Sequence, residues 1–123
     1  MRLAFPAVAW VKFLTKDFSG LYIHIPFCER KCNYCDFYSA FYSKDGLKAY
    51  LSALEGETKR WGGKIDRPID TIYIGGGTPS LLGTEILSLA DCIRQNFSVT
   101  DDVEFTVEVN PASSDEFLRF AKQ

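Results

Sequence analysis

Within one octapeptide, Cys28-Glu29-Arg30-Lys31-Cys32-Asn33-Tyr34-Cys35, three thiols stand at spacings of four and three residues. Thiolates this close can wrap one metal centre. A cubane iron-sulfur cluster has four irons, so three cysteines leave one iron open to an exogenous ligand. Two other readings compete. The same spacing puts all three cysteines on one helix face as small core residues, but Glu29, Arg30, Lys31 and Asn33 do not continue an apolar pattern. Alternatively, His24 completes a Cys3His set for a closed, structural zinc site, although its distance from Cys28 in sequence is unlike the paired-ligand spacing of zinc knuckles. The fourth cysteine, Cys92, lies off the apolar stripe of a helix-period segment and reads as an inert, partly buried thiol.

The elements that must position this loop follow from hydrophobic period. From Leu21 the chain repeats one pattern three times: an apolar extended run, a special turn, then a helix-period segment. That alternation signals βα units and a parallel sheet. The first strand is Leu21-Tyr22-Ile23-His24-Ile25, broken by Pro26, and its helix runs from about Asp45 to Trp61. Leu47, Tyr50, Leu51, Leu54, Thr58 and Trp61 share one face of that helix. Gly56 falls on the opposite face and costs about 1 kcal/mol relative to Ala. Gly62-Gly63 supplies the stop.

The second strand, Asp70 to Ile74, runs into Gly75-Gly76-Gly77-Thr78-Pro79-Ser80 and a helix with Leu82, Ile86, Leu89, Ala90, Ile93 and Phe97 on one face. This turn has neither the Gly-Lys-Ser/Thr of a P-loop nor the G-x-G-x-x-G phosphate fingerprint. It reads either as a bland strand-to-helix turn or as a place where backbone approaches a ligand closely. In the third strand Val103, Phe105, Val107 and Val109 alternate with Glu104, Thr106, Glu108 and Asn110. Asn110-Pro111 ends it, and Ser113 or Ser114 caps a final helix.

The 123 residues carry 14 Lys+Arg against 16 Asp+Glu, a net charge of -2, and the isoelectric point is near 5.4, which excludes a basic nucleic-acid module. With 46% hydrophobic and 24% charged residues the composition is globular. Three crowded cysteines do not make a secreted disulfide framework, so a reducing, cytoplasmic setting is expected. Residues 1–19 are apolar but interrupted by Pro6 and Lys12, too short a run for an integral membrane segment and without a clean cleavage site. They read as a leader of uncertain origin or a short cap helix packing Trp10 and Phe13. Residues 20–123 then form a partial core domain. A complete eight-unit barrel takes about 250 residues, so the expected fold is α/β, the N-terminal half of a parallel (β/α) TIM-like barrel truncated after three βα units.

The C-x-x-x-C-x-x-C run with aromatic Tyr34 before its last cysteine resembles the signature of the radical S-adenosylmethionine superfamily. The longer string Leu21-Tyr22-Ile23-His24-Ile25-Pro26-Phe27-Cys28 resembles the branch holding oxygen-independent coproporphyrinogen III oxidases and related heme chaperones. Gly75 to Ser80 and Glu108-Val109-Asn110-Pro111 extend the match, in the family's order, over residues 20–123. The resemblance implies that Cys28, Cys32 and Cys35 hold a [4Fe-4S] cluster whose open iron is chelated by S-adenosylmethionine, which is cleaved to a 5'-deoxyadenosyl radical. It assigns S-adenosylmethionine contacts to Tyr22, Gly76, Gly77, Thr78 and Glu108. Tyr34 falls beside the adenine or a second bound molecule, and His24 keeps a structural role. The oxidases add a cysteine two residues after the third ligand, whereas here Cys35 is followed by Asp36 and Phe37. That departure favours the heme chaperone branch, with heme as cargo and heme-acceptor proteins as partners, over an enzyme acting on a porphyrinogen.

Overall fold

The computed structural model describes residues 9–13 and 19–121. Its centre is a four-stranded sheet in the order β1 (Ala9–Phe13), β2 (Ser19–Ile25), β5 (Ile69–Gly76), β6 (Val99–Val107). Strand β2 runs parallel to β5, which runs parallel to β6. The three expected strands therefore form, in the expected direction. Helices α1 (Lys44–Gly62) and α2 (Glu85–Asn96) are the crossovers, and a turn at Pro111–Ser113 leads into α3 (Ser114–Ala121).

The strands are apolar on one face because α1 and α2 lie on it. Leu21, Ile23, Ile25, Ile72 and Ile74 are buried there against Leu47, Tyr50, Leu54, Ile86, Leu89 and Ile93. Emptying one such site, as in Leu54→Ala, costs about 2–5 kcal/mol. The opposite face carries Tyr22, His24, Tyr73 and Thr106. Tyr22, Tyr73 and Thr106 stand side by side in register across the three parallel strands.

Three local expectations are corrected. Ala9–Phe13 is not a cap helix but a strand, β1, antiparallel to β2 from Ala9 opposite Ile23 to Phe13 opposite Ser19. The backbone there extends β2's hydrogen-bonded edge, a long-range pairing that a short apolar run does not announce. The remaining residues of 1–18 lie outside the described residues. Trp61 is 39% exposed instead of sharing the α1 core face, and the Lys64 ammonium sits 5.4 Å from its ring centroid. Leu82 belongs to a separate 3-10 turn, Pro79–Leu82, because Gly83 at φ 52° ends that turn before α2 begins. Phe105 is 39% exposed, since it sits on the sheet's outermost described strand with little laid over it.

Between β2 and α1 the chain makes an excursion clamped at its base. The short strands β3 (Phe27–Cys28) and β4 (Ala40–Phe41) pair in parallel. The Ala40 N–H donates to the Pro26 carbonyl at 2.6 Å and the Tyr42 N–H to the Cys28 carbonyl at 3.0 Å. Residues 29–39 project from this clamp. Ser43 then caps α1, its hydroxyl accepting from the Gly46 N–H at 3.1 Å.

Candidate functional site

The three motifs meet at the C-terminal ends of β2, β5 and β6, the end of a parallel sheet where active sites are built. Cys28 is fixed by the β3–β4 clamp. The glycine turn is sewn directly to the cysteine segment: the Gly77 N–H donates to the Ile25 carbonyl at 2.8 Å and the Thr78 N–H to the Phe27 carbonyl at 2.7 Å. The Thr78 hydroxyl donates to the Cys28 Sγ at 3.6 Å, an ordinary length for a sulfur acceptor. A Cβ on Gly77 would lie 2.6 Å from the Phe27 carbonyl oxygen and 2.9 Å from the Cys28 Sγ. Gly76 sits at φ 118°, and a side chain there would meet the His24 ring. Both glycines are therefore required for the two segments to approach each other.

Glu108 follows directly after β6. One carboxylate oxygen accepts from the Gly76 N–H at 3.1 Å and the other from the Tyr73 hydroxyl at 2.6 Å. Gly77, Thr78, Pro79, Glu108, Val109 and Asn110 line a pocket of about 260 Å³. Larger grooves of about 420 and 850 Å³ lie between or beside the helices and contain none of the cysteine-loop residues. Asn110 bends the chain out of the strand, its side-chain oxygen accepting from the Ala112 N–H at 3.1 Å.

Along the open face the polar side chains form a chain of contacts. Tyr22 stacks on Tyr73 with ring centroids 5.9 Å apart, and its hydroxyl lies 3.0 Å from His24 Nδ1. His24 Nε2 lies 3.1 Å from the Tyr38 carbonyl in the cysteine excursion. A carbonyl can only accept, so Nε2 carries the proton, and in the neutral ring Nδ1 accepts from Tyr22. Burial, then the Glu108 charge, raises the Tyr22 phenol above its ordinary pKa. The Tyr73 phenol is raised chiefly by its hydrogen bond to Glu108. Tyr50 closes the back of the site by donating to the His24 carbonyl.

No cysteine among the described residues is in a disulfide: Cys32 is exposed, Cys28 and Cys35 are half-buried, and the Cys35 N–H closes a turn on the Cys32 carbonyl at 3.1 Å. Among the described residues no three His, Cys, Asp or Glu side chains already converge on one point. The donor chemistry nonetheless fits a centre held by three thiolates from one clamped loop. It fits a closed Cys3His zinc site poorly, because both ring nitrogens of His24 are engaged elsewhere.

The sequence of residues 22–123 matches the family model of the Radical SAM superfamily. The chain belongs to the radical SAM superfamily. Relatives named "Heme chaperone HemW" are 44% identical over 106 residues in Bacillus subtilis, covering 83% of this chain and 28% of that protein. The Mycobacterium tuberculosis relative of that name is 42% identical over 100 residues, covering 77% and 26%. Among solved structures, that of coproporphyrinogen III oxidase (HemN) from Escherichia coli, described as a radical SAM enzyme, gives a TM-score of 0.70 at 30% identity. The match covers 80% of this chain and 24% of that one. The chain thus spans about a quarter of the length of the curated relatives it matches, and its fold is the corresponding part of a radical SAM TIM-like barrel.

Within this radical SAM core, Cys28, Gly76, Gly77, Thr78 and Glu108 are brought together through direct bonds or close approach, and Tyr22 is linked to Glu108 through Tyr73. Tyr34 stands apart: it is 88% exposed on the excursion, beside Cys32, whose hydrogen bond raises its phenol. Tyr73 escaped the sequence reading. Its signal is its place on the second strand, two residues before Gly75 and in register beside Tyr22 of the neighbouring strand.

Proposed function

We propose that Cys28, Cys32 and Cys35 hold a [4Fe-4S] cluster with S-adenosylmethionine on its open iron, and that the protein acts in the cytoplasm as a heme chaperone, binding heme and passing it to acceptor proteins. The observation that carries this reading is the seam between the motifs, Thr78 on Cys28 and Gly76 on Glu108. It sets the thiol loop, the glycine turn and a carboxylate around one mouth. Such a cluster supplies one-electron reducing chemistry toward the sulfonium of S-adenosylmethionine. Gly76, Gly77 and Thr78 offer backbone and hydroxyl groups to that molecule, Glu108 a fixed carboxylate, and Tyr22 and Tyr34 aromatic surface.

The second reading, oxidative decarboxylation of coproporphyrinogen III propionates, is favoured by the HemN likeness. It is disfavoured by Phe37, which stands where the oxidases carry a further cysteine beside the cluster. Productive decarboxylation needs the substrate carbon held close to the reacting group, and that loop position differs. No helix among the described residues is long and apolar enough to cross a membrane.

Heme titration of the anaerobically reconstituted protein, with parallel mass spectrometry of coproporphyrinogen III incubations, tests the choice. Saturable heme binding with no decarboxylated product is expected. Turnover to protoporphyrinogen without saturable heme binding would overturn the chaperone reading in favour of the oxidase.

A further inference from the structure

We propose that Tyr73 is a positioning residue: it fixes the Glu108 carboxylate at the mouth of the glycine-turn pocket and thereby sets how tightly S-adenosylmethionine is held. The inference deepens the reading above and rests on it. Glu108 is exposed, and an unrestrained glutamate there would sample several rotamers. Here both of its oxygens are occupied by donors of β5, Oε1 by the Tyr73 hydroxyl at 2.6 Å and Oε2 by the Gly76 N–H at 3.1 Å. A carboxylate has about four acceptor sites, so these two bonds fix its plane and leave lone pairs for donor groups of a bound molecule.

Tyr73 can impose this because it is itself held. It projects from β5, between β2 and β6, and its ring stacks on Tyr22 at 5.9 Å with an interplanar angle of 25°. Tyr22 is tied in turn to His24. Gly75 keeps the space behind the pair open. A Cβ there would stand 2.7 Å from the Tyr73 ring and 3.2 Å from the Glu108 carboxyl carbon. A phenylalanine at position 73 would keep the stacking and lose only the donated proton.

The test is a double-mutant cycle read by equilibrium dialysis of S-adenosylmethionine against the reconstituted protein, with iron content and heme affinity measured alongside. Tyr73→Phe should weaken S-adenosylmethionine binding roughly tenfold, the scale of one lost charge-assisted hydrogen bond, and leave iron content and heme affinity unchanged. In a Glu108→Ala background the same substitution should have no further effect. Wild-type affinity in Tyr73→Phe, or a loss of equal size in the Glu108→Ala background, would overturn the role of Tyr73 while leaving the proposed function standing. A reconstituted wild-type protein that binds no S-adenosylmethionine would overturn both.

Discussion

His24 shows how much of the site is decided by single side chains that carry no ligand. Its carbonyl accepts from the Tyr50 hydroxyl, its Nε2–H donates to the Tyr38 carbonyl, and its Nδ1 accepts a hydrogen bond from the Tyr22 hydroxyl. One residue of β2 therefore braces both α1 and the cysteine excursion. Tyr50 is buried, and that burial, with the charges of Glu57 and Tyr22 adding to it, pushes its phenol well above the ordinary tyrosine value of 10.0. The folded protein thus keeps a proton that the unfolded chain releases. The contribution is complete below pH 10.0 and is lost as pH rises from there through the folded-state pKa. Tyr50→Phe should cost about 1 kcal/mol near neutrality and should flatten the alkaline loss of stability, as read by urea unfolding at about pH 8 and about pH 11. An unchanged difference between the two pH values would contradict this account of Tyr50. Residue types and spacing sufficed to single out the three cysteines of the loop, whereas the glycines and Glu108 stood out only through the family resemblance, because a glycine turn and a lone strand glutamate each have a bland reading of their own. Tyr73 and the bonds of His24 were not legible, because lone aromatic or histidine residues on a strand look the same whether they line a barrel or brace a neighbour.

The elements were legible wherever one period dominated. Helix α1 runs Lys44–Gly62 against an expectation of Asp45 to Trp61, and Leu47, Tyr50, Leu54 and Thr58 are buried as the 3.6-residue spacing requires. Where two signals competed, the boundary moved. Pro79 and Gly83 made a 3-10 turn out of what the apolar spacing alone assigned to α2, and the Asp101-Asp102 pair was absorbed into β6. There the register slips between Ile69 opposite Val99 and Thr71 opposite Glu104. Two glycines of α1 give opposite predictions from the same chemistry. Gly56 is exposed with nothing within 4 Å of an added Cβ, so Gly56→Ala should raise stability by about 0.5–1 kcal/mol through helix propensity. Gly62 faces the end of α2, where a Cβ would stand 2.2 Å from the Asn96 carbonyl oxygen. Gly62→Ala should therefore destabilise by about 1–3 kcal/mol as the two helix ends are pushed apart. Thermal unfolding of both variants checks the pair, and a Gly62→Ala protein as stable as wild type would mean that α1 and α2 do not meet there.

At the scale of the whole molecule, one sheet separates two tasks. Its apolar face is sealed by α1 and α2 and supplies the stability. Its other face and its C-terminal rim carry the aromatic chain, the carboxylate and the thiol loop. That division was predictable from three repeated βα patterns, since a parallel sheet needs crossovers on a face and gathers its loops at one end. The antiparallel β1 was not, because its pairing with β2 depends on a partner distant from any local period. The central claim is that the gathered rim holds an iron-sulfur cluster through three cysteines and not four. Iron and acid-labile sulfide per polypeptide, determined after anaerobic reconstitution, test it most directly. The account predicts a cubane complement in the wild type and in Cys92→Ala, and its loss in each of Cys28→Ala, Cys32→Ala and Cys35→Ala. Air-stable stoichiometric zinc in place of iron, or loss of the cluster in Cys92→Ala, would contradict it.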